Sequence, residues 1–588
     1  MTQVPSPRVL TLDGSELPDR ALIGGKAWSI ARMKTFGLPV PPAFVITTEA
    51  CKDYQRDNAL SDALASEIAN GILWLEAQTR RTLGTGPRPL LVSVRSGAPI
   101  SMPGMMDTVL NLGINEDTEA LLAAECGSAE FARDTHRRFL DLYASIVLKA
   151  SALELEAGDE PAAWRAKIAA DTGENVPAGV RDQLFATVRA VFDSWNSRRA
   201  RRYRSHHGIS DDLGTAVTIQ AMVFGNLDAR SGTGVLFSRN PLTGEPLPYG
   251  EYLARAQGED VVSGKHTPEP LSAMSKTNPH ALDQLLTACN LLEREGRDVQ
   301  DIEFTVESGT LYLLQSRSAK RAPHAAARIA LDMIEEGLVS PAEALNRITP
   351  EQMRILLRPR LATAPGPETP VLAKGEGASP GIGFGVVVSD PEEAETRAHA
   401  GEHVILARET TSPNDVHGMI AAHAILTEQG GSTSHAAVVG RALGRPCVVG
   451  CGRGTVTALV GRTVTVDGQT GAVYDGRLDI VEPSESDDPL VRTLAILASQ
   501  HAPVEIHETV PSGAQAHSFD DIDFNDPAAL AAEFAKLPKG ALVQGAVFAA
   551  NDGAVAQAIA AGVKGIVTAP RLPALIAAVQ AGQDNHGT

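Results

Sequence analysis

Apolar positions along this chain fall into short runs separated by glycine, proline and hydroxyl residues. The run Ala424-Ile425-Leu426 has the length of a buried strand. Gly430-Gly431 and Ser432-Thr433-Ser434 follow it, and then Ala436-Ala437-Val438-Val439 with helical composition. This order predicts strand, tight turn and helix, with His435 at the helix N-terminus. Elsewhere, Leu90-Leu91-Val92-Ser93-Val94-Arg95 reads as a buried strand running into a glycine-bearing loop. Thr215–Val223 and Gly234–Ser238 read as neighbouring strands joined by a turn. Asp301–Val306, Glu307-Ser308-Gly309 and Thr310–Gln315 form a hairpin signature. Residues 325–338 and 341–357 carry helical spacing of apolar side chains and predict a helical bridge. Residues 359–370 and 482–489 are rich in proline, small or acidic residues and predict exposed joints.

Composition narrows the class. A length of 588 residues predicts three to five domains at about 100–200 residues each. Hydrophobic residues make up 43% and charged residues 21%, as in an ordinary globular protein. A net charge of −19 argues against nucleic acid or an anionic membrane as partner. Arg198-Arg199-Ala200-Arg201-Arg202-Tyr203-Arg204 is the longest basic cluster and reads first as a solvated helix face. Five widely spaced cysteines suggest reduced thiols in a cytoplasmic protein. No secretory leader is visible, and no apolar run of about 18 residues predicts a membrane span.

The candidate chemistry follows from position. A helix N-terminus offers unpaired N–H groups and a positive dipole end, so His435 sits where a phosphoryl group would be stabilised; taken alone, it also reads as a simple cap. In the hairpin, Asp301 and Glu303 share one strand face, and Gln315 and Arg317 share one face of the partner. If the pairing aligns those faces, carboxylate and amide oxygens suited to Mg²⁺ meet a guanidinium suited to phosphate. The alternative is a solvent-exposed polar face. Gly24-Gly25-Lys26 lacks the spacing of a Walker loop, yet its glycines allow close backbone approach and its lysine can meet a phosphate. Arg95 and the loop Ser101–Thr108 add a second cation and a cover that can exclude water.

These segments together resemble the pyruvate, phosphate dikinase family of PEP-utilising enzymes. The resemblance rests on Gly24-Gly25-Lys26, Ser93–Ala98, Ser101–Thr108, Gly232–Pro241, Ala256–Val262, Gln300–Thr305, Leu314–Arg317 and Gly430–Val439, and covers residues from about 20 to about 480. It implies a multidomain α/β and α+β fold. An ATP-grasp nucleotide-binding region would occupy 1–322, a helical bridge and linker 323–370, and a swivelling phosphohistidine domain 371–482; a short α/β region would fill 490–588. Carried over by position, Lys26 and Arg95 contact ATP phosphates, and the loop at Gly104 closes over them. Glu259 and Asp260 fall in the nucleotide pocket. Asp301, Glu303 and Gln315 organise Mg²⁺, Arg317 stabilises the transferring phosphates, and His435 carries the phosphoryl group. Thr433 matches a position phosphorylated for regulation in some relatives.

Such relatives end in a (β/α)₈ barrel of about 250 residues, and only about 100 follow the second joint here. No cysteine lies beyond Cys451 to act as the barrel's acid/base. The implied partners are ATP, inorganic phosphate or water, a small-molecule acceptor such as pyruvate, a separate barrel-containing subunit, and a second copy of the chain. The alternative reading is a catalytically inactive nucleotide-binding regulatory homologue.

Overall fold

The computed structural model describes residues 6–100, 102, 107–151, 153–262, 267–357, 360–361, 369–443, 445–481, 485, 488–519 and 527–584. It is a mixed α/β chain built around four main sheets. The first two are antiparallel and five-stranded. One runs in the order Val9–Thr11, Ala43–Ile46, Ala216–Ala221, Val92–Gly97, Thr108–Leu112. The other runs Glu269–Pro270, Tyr249–Ala254, Gly232–Phe237, Gln300–Glu307, Thr310–Ser318. The strands at 216–221 and 232–237 therefore belong to different sheets, contrary to the expectation that they are neighbours. The intervening segment carries the chain from one sheet to the other, a tertiary choice that a turn signal between two strands does not encode.

The helix Arg20–Thr35 packs under both sheets and is broken at Gly24, whose φ is +75°. A Cβ at Gly24 would overlap the Gly97 carbonyl oxygen, so only glycine lets the helix lie against that strand end. The Gly25 N–H donates to the Ala98 carbonyl at 2.9 Å and fixes the approach. The segment 341–357 forms two helices, Pro341–Asn346 and Pro350–Leu356. Pro350 cannot continue a helix but suits a first turn, and Thr349 with Gln352 forms a capping box that starts the second one.

Residues 371–475 form an eight-stranded mixed sheet with two apolar clusters of their own, one on each face. The chain enters and leaves this unit along one ribbon, in which Arg360 pairs with Val481 and Leu361 with Ile480. The last unit holds four parallel strands in the order Glu505–His507, Gly565–Val567, Leu542–Gln544, Ala516–Ser518. Its core is continuous with the helices at 323–335, 341–346 and 350–356 and includes Phe519, Phe534 and Phe548. Among the described residues no helix is long and apolar enough to cross a membrane.

Candidate active site

Strand register assembles the site. Asp301 lies opposite Arg317 on one side and Phe237 on the other, and Phe237 lies opposite Tyr249. Two residues along, Glu303 lies opposite Gln315 and Val235, and Val235 opposite Glu251. Opposed residues of antiparallel strands share a face, so two rows form: Arg317, Asp301, Phe237, Tyr249, and Gln315, Glu303, Val235, Glu251. From the first sheet, Arg95 reaches across to this face, donating to Glu303 Oε2 at 3.3 Å and Gln315 Oε1 at 3.4 Å. Arg317 donates from Nε to Asp301 Oδ2 at 2.8 Å.

Lys26 completes the cationic set. Burial and the neighbouring charges of Arg95 and Arg317 push its ammonium down to about 7, against an opposing pull from Glu303. Burial alone would raise the Glu303 carboxyl, but Arg95, Arg317 and Lys26 outweigh it and hold the group below the ordinary range. Asp301 is shifted upwards by burial, with Arg317 opposing. Its second oxygen, Oδ1, is buried without a hydrogen-bond partner.

The histidine-bearing turn is docked against the same face. His435 opens the helix His435–Leu443, directly after the turn that leaves the strand Ala424–Thr427. Ser432 Oγ donates to Glu251 Oε1 at 2.9 Å, and the Thr433 hydroxyl bonds the other oxygen of the same carboxylate. Tyr249 Oη lies 2.8 Å from Ser432 Oγ and donates to Glu376 Oε1 at 3.2 Å. Arg441 is buried on the histidine's own helix and bonds the Ala378 carbonyl; its charge interacts with Asp301 and Glu251. At about 4.8 Å per strand, the two-strand step from Glu303 to Glu251 is about 10 Å. The turn therefore meets the same sheet face two strands away from Glu303.

The two ring nitrogens of His435 have different surroundings. Its Nδ1 lies 3.2 Å from Thr411 Oγ1, and its Nε2 is buried with no partner. Burial lowers its pKa below that of a free imidazole, with Asp415 opposing, which favours the neutral ring.

Of the residues singled out from sequence, Lys26, Arg95, Asp301, Glu303, Gln315 and Arg317 gather at this face, and His435 lies on the turn docked against it. Asp260 accepts from the Gln257 N–H at 2.9 Å and from Arg138 at 2.9 Å, in the short helix Gly258–Val262 whose first residue faces Thr233. Gly104 and the side chain of Glu259 lie outside the described residues. Sequence reasoning missed Tyr249, Glu251, Glu376, Arg441 and Thr411. Tyr249 and Glu251 had a signal: in Tyr249-Gly250-Glu251-Tyr252 they are two apart, as Asp301 and Glu303 are. Thr411 and Glu376 gain their roles only through contacts 24 and 56 residues away in sequence, which no local pattern reports.

Among the described residues no three or more histidine, cysteine, aspartate or glutamate side chains are arranged to hold a metal ion by themselves. Two carboxylates, one of them with the unpaired Asp301 Oδ1, and an amide oxygen fit a cation such as Mg²⁺. That ion typically takes one or two carboxylates and completes its shell with water and substrate phosphates.

Two stretches of the chain match known protein families. Residues 20–82 and 64–287 match the model of the pyruvate phosphate dikinase AMP/ATP-binding domain, and residues 400–471 match that of the PEP-utilising enzyme mobile domain. The chain is 43% identical over 539 residues to pyruvate, phosphate dikinase 1, chloroplastic, of Zea mays, covering 84% of this chain and 57% of the relative. It is 42% identical over 539 residues to the corresponding protein of Arabidopsis thaliana, covering 84% and 56%. It is 42% identical over 517 residues to pyruvate, phosphate dikinase of Rhizobium meliloti (strain 1021), covering 80% and 57%. The chain thus spans a little over half the length of these relatives. By both domain matches and this extended similarity, the chain belongs to the pyruvate, phosphate dikinase family.

Proposed function

We propose that the chain is an ATP-dependent phosphotransferase that loads His435 from a nucleotide bound between the first two sheets. The region up to about residue 322 acts as an ATP-grasp nucleotide site, and residues 371–482 act as the swivelling carrier. Lys26, Arg95 and Arg317 bind the polyphosphate and neutralise charge that builds up in transfer. Asp301, Glu303 and Gln315 would hold Mg²⁺, which supplies further charge neutralisation when bound.

Thr411 accepts from Nδ1–H and leaves the Nε2 lone pair free. Nε2 attacks the β-phosphorus, a P–N bond forms, the bond from that phosphorus to the bridging oxygen breaks, and AMP leaves. The terminal phosphate of the pyrophosphorylated histidine then passes to inorganic phosphate as pyrophosphate, leaving one phosphoryl group on His435. The relatives' name, pyruvate, phosphate dikinase, supports phosphate as the second acceptor and pyruvate as the final one. Pyruvate chemistry would draw on a barrel-bearing partner or on the C-terminal unit.

The observation that carries this reading is the docking of the Ser432-Thr433-Ser434-His435 turn on Glu251, one register row shared with Glu303 and Gln315. Intact-mass measurement after incubation with Mg·ATP tests it. The chain is expected to gain two phosphoryl groups without inorganic phosphate and to keep one with it, and His435→Ala to gain none. A wild-type chain that gains no mass under either condition sinks the proposal.

A further inference from the structure

Thr218 carries a buried hydroxyl beside Arg95 that no other group uses. It lies on the strand Ala216–Ala221, directly opposite Arg95, so both side chains share a face. Only 1% of the residue is exposed, and Oγ1 has no hydrogen-bond partner. Other buried threonines here are satisfied: Thr233 donates to the Phe304 carbonyl at 2.9 Å, and Thr465 to the Gly476 carbonyl at 2.7 Å. An unpaired buried hydroxyl is costly, and a valine would fill the same strand position without that cost.

The space beside the hydroxyl has a defined shape. A Cβ placed on Gly97 would lie 4.0 Å from Thr218 Oγ1, 3.5 Å from Lys26 Cβ and 3.8 Å from the Lys26 backbone nitrogen. Gly97 pairs with Ala216, and the Gly24–Lys26 segment lies directly on these two small residues, which brings Lys26 beside Thr218 and Arg95. Two basic side chains and a hydroxyl without a partner are thus neighbours. The complement of this set is an acceptor-only anion with several oxygens.

We propose that the Thr218 hydroxyl is a further ligand of the bound nucleoside triphosphate, donating to a phosphate oxygen held between Lys26 and Arg95. The assignment rests on the nucleotide-binding reading above and adds to it a neutral donor that the cationic residues do not supply. A hydroxyl fixes the direction of one oxygen, whereas Lys26 and Arg95 contribute mainly charge.

Calorimetric binding of Mg·ATP and of adenosine to the full chain tests the assignment with Thr218→Val, Thr218→Ser and, should valine fail to pack, Thr218→Ala. Loss of one hydrogen bond to a charged acceptor is worth about tenfold in affinity. Thr218→Val is expected to weaken Mg·ATP by about that factor, to leave adenosine binding unchanged, and to melt no lower than the wild type without nucleotide. Thr218→Ser is expected to retain tight Mg·ATP binding. The assignment is overturned if the hydroxyl-free variants bind Mg·ATP as the wild type does. It is equally overturned if adenosine binding falls in parallel, since the residue would then act through the fold. If the wild type binds no Mg·ATP, the nucleotide reading itself fails, and this assignment with it.

Discussion

Lys26 carries a charge that its surroundings partly suppress. Its ammonium sits near 7 because burial and two guanidinium groups oppose the charged form. At pH 8 the amine is mostly neutral, and an arriving polyphosphate reverses the balance by adding negative charge beside it. Binding of Mg·ATP at pH 8 should therefore take up close to one proton, read from calorimetry in buffers of different ionisation enthalpy, and Lys26→Met should abolish that uptake. A binding reaction with no buffer dependence in the wild type would contradict the suppressed ammonium. The same shift governs stability. Between the folded value of about 7 and the ordinary value of 10.5, the unfolded chain binds more protons, so this residue makes the nucleotide-free protein more stable as pH rises through that window.

The strand Tyr249–Ala254 and the turn at 430–434 meet through hydrogen bonds to one carboxylate. Burial raises the Glu251 carboxyl and Glu376 adds to the rise, while bonds from Thr433 and Ser432 oppose it. Glu251→Ala removes two acceptors from the docked turn. Each is worth on the order of tenfold when the acceptor is charged. The variant should load His435 at least about tenfold more slowly in single-turnover quench flow while binding Mg·ATP within about twofold of the wild type. Equal losses in binding and loading would mean that Glu251 serves the nucleotide instead.

Elements of this kind are partly legible in the amino-acid sequence alone. The alternation in Asp301–Gln315 determines which side chains share a face, because a strand's period is two whatever surrounds it. The same rule applied to 249–252 pairs Tyr249 with Glu251. It does not say that a turn some 180 residues later docks there. Likewise, the strands at 216–221 and 232–237 each announce themselves locally, but their assignment to different sheets depends on partners at 43–46, 92–97 and 300–307. The helix break at Gly24 depends on a carbonyl 73 residues away, so a Gly-Gly-Lys run alone shows permissiveness and not its use.

Across the whole molecule, two kinds of contact join the units. The C-terminal sheet shares an apolar core with the helices at 323–356, and Arg354 Nε donates to the Ala549 carbonyl at 2.7 Å. The unit at 371–475 keeps its own cores and meets the nucleotide side chiefly through polar bonds, with Val416 touching a small cluster around Met102, Trp195 and Ala200. Burying apolar surface at about 25 cal/mol per Å² makes the first contact durable, while exchangeable hydrogen bonds make the second one reversible. The polar joint is the one that has to open if His435 serves two places.

The short ribbon formed by Arg360-Leu361 and Ile480-Val481 brings the two ends of the carrier together. In covalent terms, the unit at 371–475 is thus a cassette joined to the remainder of the chain at one place. Excising 362–479 and closing the gap with a brief Gly/Ser turn should leave a protein that melts cooperatively and still binds Mg·ATP, since neither the fused core nor the cationic set borrows an apolar residue from the excised piece. Loss of cooperative melting in that shortened protein would show the cassette to be structural cement as well as cargo arm.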